Sequence, residues 1–284
     1  MKSILLVGQS NMAGRGFIKD VTPIYNKNIK MLRNGRWQMM TEPIHFDREV
    51  SGIGPAASFA AAWQLDHVDE EIGLIPCAEG SSSISGWGTD QKLMRHAISE
   101  ARFAMEDSEL IGILWHQGEN DSLNEHYKNY DHELMGVFSN LRTALGLPEV
   151  PIIFGKLPEF LGKKGFGTSA IEFERINQAM QRVNRQLNNT YLVSAEDLDS
   201  NPDGIHINAR SQRRFGLRYY AAFKNKSNID HPLNDEHDQL DRIDHQPQDR
   251  DIKTYLLSRE LVLGKISYPT FTDKIDKLMH EPLN

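Results

Sequence analysis

Cysteine is nearly absent from this chain. Cys77 is the single cysteine among 284 residues, so no disulfide can form within the chain. This excludes a disulfide-stabilised secreted scaffold and is compatible with a reducing compartment. Hydrophobic residues, 39% of the chain, must supply the core instead, and the length allows one large domain or two small ones.

Long apolar runs and an excess of positive charge are also missing. No stretch approaches the roughly 20 apolar residues of a membrane span, and the mean hydropathy is -0.51. The N-terminal apolar run, residues 3–7, is too short for the core of a signal peptide. With 32 basic and 39 acidic residues the net charge is -7, which argues against a general nucleic-acid binder. We therefore expect a soluble, cytoplasmic protein with neither a nucleic-acid nor a membrane partner.

Short apolar runs alternate with longer amphipathic ones through most of the chain, a pattern typical of a parallel sheet covered by helices on both faces. The five predicted strands are Ser3 to Val7, Ile72 to Cys77, Leu110 to His116, Pro151 to Gly155 and Thr190 to Ser194. The five predicted helices are Pro55 to Asp66, Gln91 to Met105, Glu125 to Leu145, Ala170 to Leu187 and Ala209 to Phe223. Two local signals refine this pattern. Asn34-Gly35 predicts a hairpin, interpreted as an insertion after the first strand, and Ser169 with Glu172 predicts a capping box for the fourth helix.

The composition changes near Asn225. Residues 1–224 are predicted to form one α/β domain. Residues 225–250 are polar and rich in acids and histidines, which predicts a solvated linker or surface wrap. They contain neither the C-x-x-C nor the H-E-x-x-H spacing of a zinc site, so no metal is expected there. Two amphipathic segments follow, near 252–263 and 271–279, so residues 225–284 are predicted to be a polar, helical extension that packs back on the domain.

Ligands of an open parallel sheet collect outside the carboxyl ends of its strands. The loop after the first strand, Gly8 to Gly14, lacks the G-x-G-x-x-G spacing and the P-loop lysine, so it does not predict a nucleotide site. Ser10 lies there at a strand-to-helix turn and is a candidate nucleophile. Its alternative role is a helix cap, and the loop is not the G-x-S-x-G elbow of α/β-hydrolases. Gln9 and Asn11 flank it as candidates for support or substrate binding.

A candidate base and its partner follow the last predicted strand. Asp203 precedes His206 by three residues, a spacing at which a carboxylate can hydrogen-bond the imidazole and stabilise its protonated form. His206 would then accept the proton of Ser10. Glu119, after the third strand, is an alternative partner for His206, or it holds its own loop in shape.

Two further loops offer hydrogen-bond donors for a developing oxyanion. Gln117 carries a side-chain amide and Gly80 an unencumbered backbone N–H, and both would act beside the N–H of Ser10. Trp87 is a candidate wall for an acyl pocket or a platform for a sugar ring. Its alternative role is a partly buried anchor.

Four sequence blocks together resemble a known superfamily, the SGNH hydrolases. The blocks are Gly8-Gln9-Ser10-Asn11-Met12-Ala13-Gly14, Gly80-Ser81-Ser82-Ser83-Ile84, Trp115-His116-Gln117-Gly118-Glu119 and Asp203-Gly204-Ile205-His206. Within that superfamily they are similar to the acetylxylan esterase and sialate O-acetylesterase branch, carbohydrate esterase family 6. The resemblance covers residues 3–223.

The resemblance implies a fold and a reaction. The implied fold is flavodoxin-like, with three α/β/α layers around a five-stranded parallel sheet. The implied activity is a metal-free, cofactor-free esterase that removes acetyl groups from sugar hydroxyls. In this resemblance Ser10 is the nucleophile, His206 the base and Asp203 its orienting acid, with Gly80 and Gln117 as oxyanion donors. Ser81 stands where the family often has glycine, which leaves open which N–H of this block faces the oxyanion.

The resulting hypothesis is a serine esterase acting on acetylated xylo-oligosaccharides or related sugars through an acetyl-enzyme intermediate. One alternative keeps the fold but changes the acyl group, giving an esterase or thioesterase for other short acyl substrates. The other alternative is a carbohydrate-binding protein without catalysis. The set of Ser10, Asp203 and His206 favours an enzyme.

Overall fold

A seven-stranded sheet forms the centre of the protein, whose computed structural model describes residues 1–280. The strands are β1 (Lys2–Gly8), β2 (Ile29–Arg33), β3 (Arg36–Met39), β4 (Ile72–Pro76), β5 (Glu109–His116), β6 (Ile152–Gly155) and β7 (Thr190–Val193). Their spatial order is β3-β2-β4-β1-β5-β6-β7. All neighbouring pairs are parallel except β2 and β3. The five predicted strands are confirmed as β1, β4, β5, β6 and β7, and their order is that of flavodoxin-like sheets.

The predicted hairpin exists but belongs to the sheet. Its turn contains Asn34 and Gly35 with positive φ values of 51° and 70°, as an Asn-Gly turn requires. Strand β2 pairs in parallel with β4, so the hairpin adds two strands at one edge. The hairpin does follow the first strand, but the sheet has seven strands and not the predicted five. Ile29 and Met31 explain the difference, because both side chains are buried in the core beside the sheet.

Helices cover both faces of the sheet, as the alternating pattern predicted. The helices are α1 (Ser10–Ala13), α2 (Ala56–Asp66), α3 (Lys92–Ala104), α4 (Tyr127–Leu145), α5 (Phe173–Gln186), α6 (Ala209–Asn225), α7 (Glu236–Asp244), α8 (Arg250–Val262) and α9 (Tyr268–His280). Ile4 and Leu6 of β1 face the core that contains α2 and α6. Leu5 and Val7 face the core that contains α3, α4 and α5. Burial on both faces explains why β1 is a continuous apolar run. Within residues 1–280, no helix is long and apolar enough to cross a membrane.

The fourth large helix begins later than the capping box predicted. Helix α5 starts at Phe173, and the two side chains of the expected box bond elsewhere. The Ser169 hydroxyl donates to the Phe166 carbonyl at 2.8 Å. The Glu172 carboxylate accepts from the Glu125 N–H at 2.8 Å. Both residues therefore shape the loop before the helix, and the capping-box prediction is wrong.

The polar region after Asn225 contains a structured helix. Helix α7 begins at Glu236, which is buried against α6 and forms ion pairs with Arg214 and Arg218. The side chain of Arg218 is 0% exposed, and an unpaired buried guanidinium would be strongly destabilising. This part of residues 225–250 thus differs from the expected solvated linker. The two later amphipathic segments form α8 and α9, which pack against each other.

Candidate active site

A cleft of about 320 Å³ borders both Ser10 and His206. Its other lining residues are Gln9, Ser81, Glu119, Asn120, Leu123, Asn124, Phe166, Ser169 and Ile205. Ser10 follows β1, and His206 lies in the segment between β7 and α6. The fold therefore brings the predicted nucleophile and the predicted base to one opening at the carboxyl ends of the strands.

The turn after β1 presents Ser10 to this cleft. Gly8 has a φ of 127°, and a Cβ there would lie 2.1 Å from the carbonyl oxygen of His116, so only glycine allows this approach to β5. In the short helix α1, the N–H groups of Met12 and Ala13 then donate to the Gln9 carbonyl. Since Ser10 is its first residue, the N–H of Ser10 has no acceptor within the helix. The nucleophile candidate and one oxyanion donor candidate thus come from the same residue.

Asp203 contacts His206 as the three-residue spacing predicted. Its Oδ2 lies 2.8 Å from Nδ1 of His206, and its Oδ1 accepts the N–H groups of Ile205 and His206 at 3.0 Å each. Partial burial raises the pKa of the Asp203 carboxyl, but these hydrogen bonds outweigh it and hold that pKa below its ordinary value. An ionised Asp203 holds the Nδ1 proton, which leaves Nε2 as the nitrogen that can accept a proton.

Asn11 holds the segment on both sides of His206. Its Nδ2 donates to the carbonyl of Ile205 at 3.2 Å, and its Oδ1 accepts the N–H of Ile207 at 2.9 Å. Nδ2 also donates to the Glu119 carboxylate. Through these bonds Asn11 fixes the backbone on both sides of His206.

Glu119 contacts His116 and Asn11, whereas Asp203 is the carboxylate beside His206. Oε1 of Glu119 lies 3.0 Å from Nε2 of His116. Complete burial raises the pKa of the Glu119 carboxyl, but the neighbouring His116 and the hydrogen bonds from His116 and Asn11 outweigh this and keep the pKa below its ordinary value. Of the two acids considered for His206, the geometry favours Asp203 as the orienting partner and Glu119 as a support of the loops.

Gln117 differs from its predicted role. The residue is 0% exposed, and its Nε2 donates to Oε1 of Gln9 at 3.2 Å, to the Ser82 carbonyl at 3.1 Å and to Asp121. Its Oε1 accepts the hydroxyl of Tyr130 at 3.0 Å. The amide hydrogens of Gln117 therefore form hydrogen bonds within the loops and do not face the cleft. The prediction of Gln117 as an oxyanion donor is corrected accordingly.

Gly80 also differs from its predicted role. Its N–H donates to Oδ2 of Asp47 at 2.8 Å, and Asp47 is held in turn by Arg15 at 2.6 Å and by Ser51 at 2.8 Å. A Cβ on Gly80 would lie 2.5 Å from the Arg15 guanidinium, so glycine is needed for this close packing. The next residue, Ser81, lines the cleft with a φ of 63°.

Trp87 is an anchor of the core. Its side chain is 0% exposed, its Nε1 donates to the Ser82 hydroxyl at 3.0 Å, and its ring meets that of Trp115 edge to face at 5.3 Å. The interpretation as a pocket wall or sugar platform is therefore wrong. Gln9 does support the site, because its Oε1 accepts the N–H groups of Gly118 and Asn120 at 3.3 Å each.

One side of the cleft contains none of the residues predicted from the sequence. Phe166 and Ser169 belong to the loop after β6, from which none of the predicted site residues came. Phe166 stands between Gly165 and Gly167, and this aromatic residue between two glycines was the available signal. The ion pair of Arg15 with Asp47 joins residues 32 positions apart that match no known motif, so it could not be predicted from the sequence.

Comparisons with known proteins identify the family of this chain. The family model described as carbohydrate esterase, sialic acid-specific acetylesterase matches residues 1–225. A probable carbohydrate esterase of Arabidopsis thaliana is 29% identical over 241 residues, which are 77% of this chain and 88% of that protein.

Two solved structures are similar in fold. The X-ray structure of an Arabidopsis thaliana protein aligns with a TM-score of 0.71 and 27% identity, over 79% of this chain and 98% of that one. A carbohydrate acetylesterase from Xanthomonas citri aligns with a TM-score of 0.59 and 17% identity, over 79% of this chain and 56% of that one. The resemblance inferred from the four sequence blocks is confirmed by the family match. Because that match spans residues 1–225, the chain belongs to the carbohydrate esterase family of sialic acid-specific acetylesterases, which are carboxylic ester hydrolases.

Proposed function

We propose that this protein is a serine esterase that removes O-acetyl groups from carbohydrates, with acetylated xylo-oligosaccharides or related sugars as substrates. Ser10 is the nucleophile, His206 the general base and Asp203 the acid that orients it. The observation that carries this proposal is the shared cleft of Ser10 and His206, with Nδ1 of His206 held 2.8 Å from Asp203. Membership of a carbohydrate esterase family supports the class of substrate.

The first half-reaction forms an acetyl-enzyme. Nε2 of His206 accepts the hydroxyl proton while Oγ of Ser10 attacks the acetyl carbonyl carbon, and Asp203 stabilises the imidazolium that results. When the tetrahedral intermediate collapses, the bond from the carbonyl carbon to the sugar oxygen breaks. The sugar leaves as an alcohol with the proton from His206, and the acetyl group stays on Ser10.

The second half-reaction releases acetate. His206 deprotonates a water molecule that attacks the acetyl carbonyl carbon of the ester on Ser10. Collapse of this second intermediate breaks the bond to Oγ, and His206 returns its proton to the serine. The enzyme is restored, and one water is consumed for each acetate.

The negative charge on the carbonyl oxygen needs donors in the cleft. We assign these to the N–H groups of Ser10 and Ser81, since both residues line the cleft while the N–H of Gly80 is bound by Asp47. One such donor typically contributes about 3 kcal/mol of transition-state stabilisation.

Hydrolysis of 4-nitrophenyl acetate by the wild type and by Ser10→Ala tests the proposal. Both assays contain a chelator, and Ser169→Ala is the matched control because Ser169 also lines the cleft while its hydroxyl is bonded to the Phe166 carbonyl. We expect background activity for Ser10→Ala and near wild-type activity for Ser169→Ala. Equal activity of the wild type and Ser10→Ala, or no activity in either, would refute the serine mechanism.

A second assay tests the acyl group and the alcohol. The wild type should release acetate from acetylated xylo-oligosaccharides and should act poorly on an octanoate ester, because a cleft of about 320 Å³ is small. Preference for the octanoate ester would favour a lipase-like or thioesterase activity. Binding of the sugar in calorimetry without acetate release would favour a binding protein.

A further inference from the structure

A large aromatic ring stands exposed at the rim of the cleft. Phe166 is 73% exposed and lines the same opening as Ser10 and His206. Single exposed apolar side chains are common on protein surfaces, but this ring lines the opening that also contains Ser10 and His206, so a ligand bound there can contact it. Ile171, on the same loop, is 58% exposed but is not part of the cleft lining.

The backbone around this ring is locked to the turn that contains Asp203. A Cβ on Gly165 would lie 2.3 Å from the carbonyl oxygen of Asp203, and one on Gly167 would lie 2.1 Å from that of Gly204. Between them the N–H of Phe166 donates to the Asp203 carbonyl at 2.8 Å. The two glycines allow the two backbones to touch, so Phe166 has a defined place relative to Asp203.

Hydrogen bonds within the loop stiffen it further. The hydroxyl of Thr168 donates to the Gly165 carbonyl, and the hydroxyl of Ser169 donates to the Phe166 carbonyl, each at 2.8 Å. The N–H of Gly162 donates to the Gly167 carbonyl at 2.9 Å. The backbone beneath the exposed ring is therefore ordered before any ligand arrives, which lowers the entropy cost of binding.

The chemistry of the rim suits a sugar ring. A pyranose has one face made largely of C–H groups, and the negative face of an aromatic ring attracts such positively polarised hydrogens. Asn120 and Asn124 line the same cleft, are exposed, and provide amide groups for sugar hydroxyls. This combination of one apolar platform with a few polar groups is typical of small-ligand sites.

We propose that Phe166 is the platform on which the pyranose ring stacks while its acetyl group reaches Ser10. The inference rests on the proposed deacetylation of carbohydrates and assigns the sugar selectivity of the site to one residue. It also replaces Trp87, which is buried, in the role of the aromatic platform.

The test compares two substrates and four proteins. Acetate release from acetylated xylo-oligosaccharides and from ethyl acetate, which has no ring to stack, is measured for the wild type, Phe166→Ala, Phe166→Tyr and Ile171→Ala. For Phe166→Ala we expect kcat/KM on the sugar ester to fall roughly tenfold, mainly through KM, with kcat/KM on ethyl acetate within about twofold of wild type. Phe166→Tyr should restore the sugar activity, and Ile171→Ala should leave both activities unchanged.

Each other outcome has a definite meaning. Wild-type kcat/KM of Phe166→Ala on the sugar ester would overturn the inference while the proposed function stands. An equal loss on both substrates would also overturn it, because the residue would then act only through the Asp203 turn. If the wild type hydrolyses ethyl acetate but no sugar ester, the proposed carbohydrate function fails and the inference fails with it.

Discussion

Replacement of Asp203 by asparagine should remove the base function of His206 and leave the fold intact. The carboxylate makes three hydrogen bonds: Oδ1 accepts two backbone N–H groups at 3.0 Å, and Oδ2 lies 2.8 Å from the imidazole. The amide of asparagine keeps an oxygen for the backbone and presents its NH₂ to the ring. Nδ1 must then accept a hydrogen bond, so the proton moves to Nε2 and no base faces Ser10.

The structure separates the catalytic effect from the effect on stability. For Asp203→Asn we expect kcat to fall about 10⁴-fold, which corresponds to about 5 kcal/mol in the activation free energy. Its free energy of unfolding should change by less than about 1 kcal/mol, because both backbone bonds remain. Asp203→Ala loses those bonds as well, and its free energy of unfolding should fall by about 2 kcal/mol.

The assay combines kcat on a chromogenic acetate ester with urea unfolding followed by tryptophan fluorescence. Asp199→Asn is the matched control, since it removes an exposed carboxylate from the same segment. If Asp203→Asn kept more than about a tenth of the wild-type kcat, another group would have to orient His206. The assignment of Asp203 as the orienting acid would then be refuted.

Three further predictions concern stability and packing. Burial lowers the pKa of His45 to about 4 from 6.5, so between pH 7 and pH 4 the wild type should lose about 3 kcal/mol more stability than His45→Gln in urea titrations. Glu236→Ala should lower the free energy of unfolding by about 4 kcal/mol in urea titrations, since Arg218 stays buried without its partner. Gly167→Ala should lower kcat at least about tenfold with a reduced Tm, because its Cβ meets a carbonyl oxygen at 2.1 Å. Gly136→Ala, with nothing within 4 Å of the new Cβ, should leave kcat unchanged and raise the Tm slightly.

The direction of the His45 effect follows from proton binding. The unfolded state binds a proton below about pH 6.5, whereas the folded state binds one only near pH 4, so stability is present above pH 6.5 and is lost as the pH falls. Stability that stayed constant from pH 7 to pH 4 would contradict burial of a neutral His45.

Local features of this protein could be predicted from the sequence. The apolar run of β1 identified a strand buried on both faces, because such a strand has no solvent side that needs polar residues. The pairing of Asp203 with His206 was also predictable, because two residues three positions apart in a turn lie close together whatever surrounds the turn. The blocks around Ser10 were specific enough to identify the family.

Contacts between distant segments decided the rest. Gly80 gives its N–H to Asp47, 33 residues earlier, and this pairing depends on how the loop after β3 folds against the end of β4. Gln117 turns its amide inward because Gln9, Ser82 and Asp121 meet there.

The amino-acid sequence by itself determined five of the seven strands, the four family blocks and the pairing of Asp203 with His206, because each depends on residues close together in the chain. Only the tertiary structure decided which N–H groups remain free for the oxyanion and which aromatic ring faces the cleft. Trp87 is buried and Phe166 is exposed although both stand near glycines, and the difference arises from the segments packed against them. Burial and hydrogen-bond partners are properties of the assembled fold, so spacing along the chain does not reveal them.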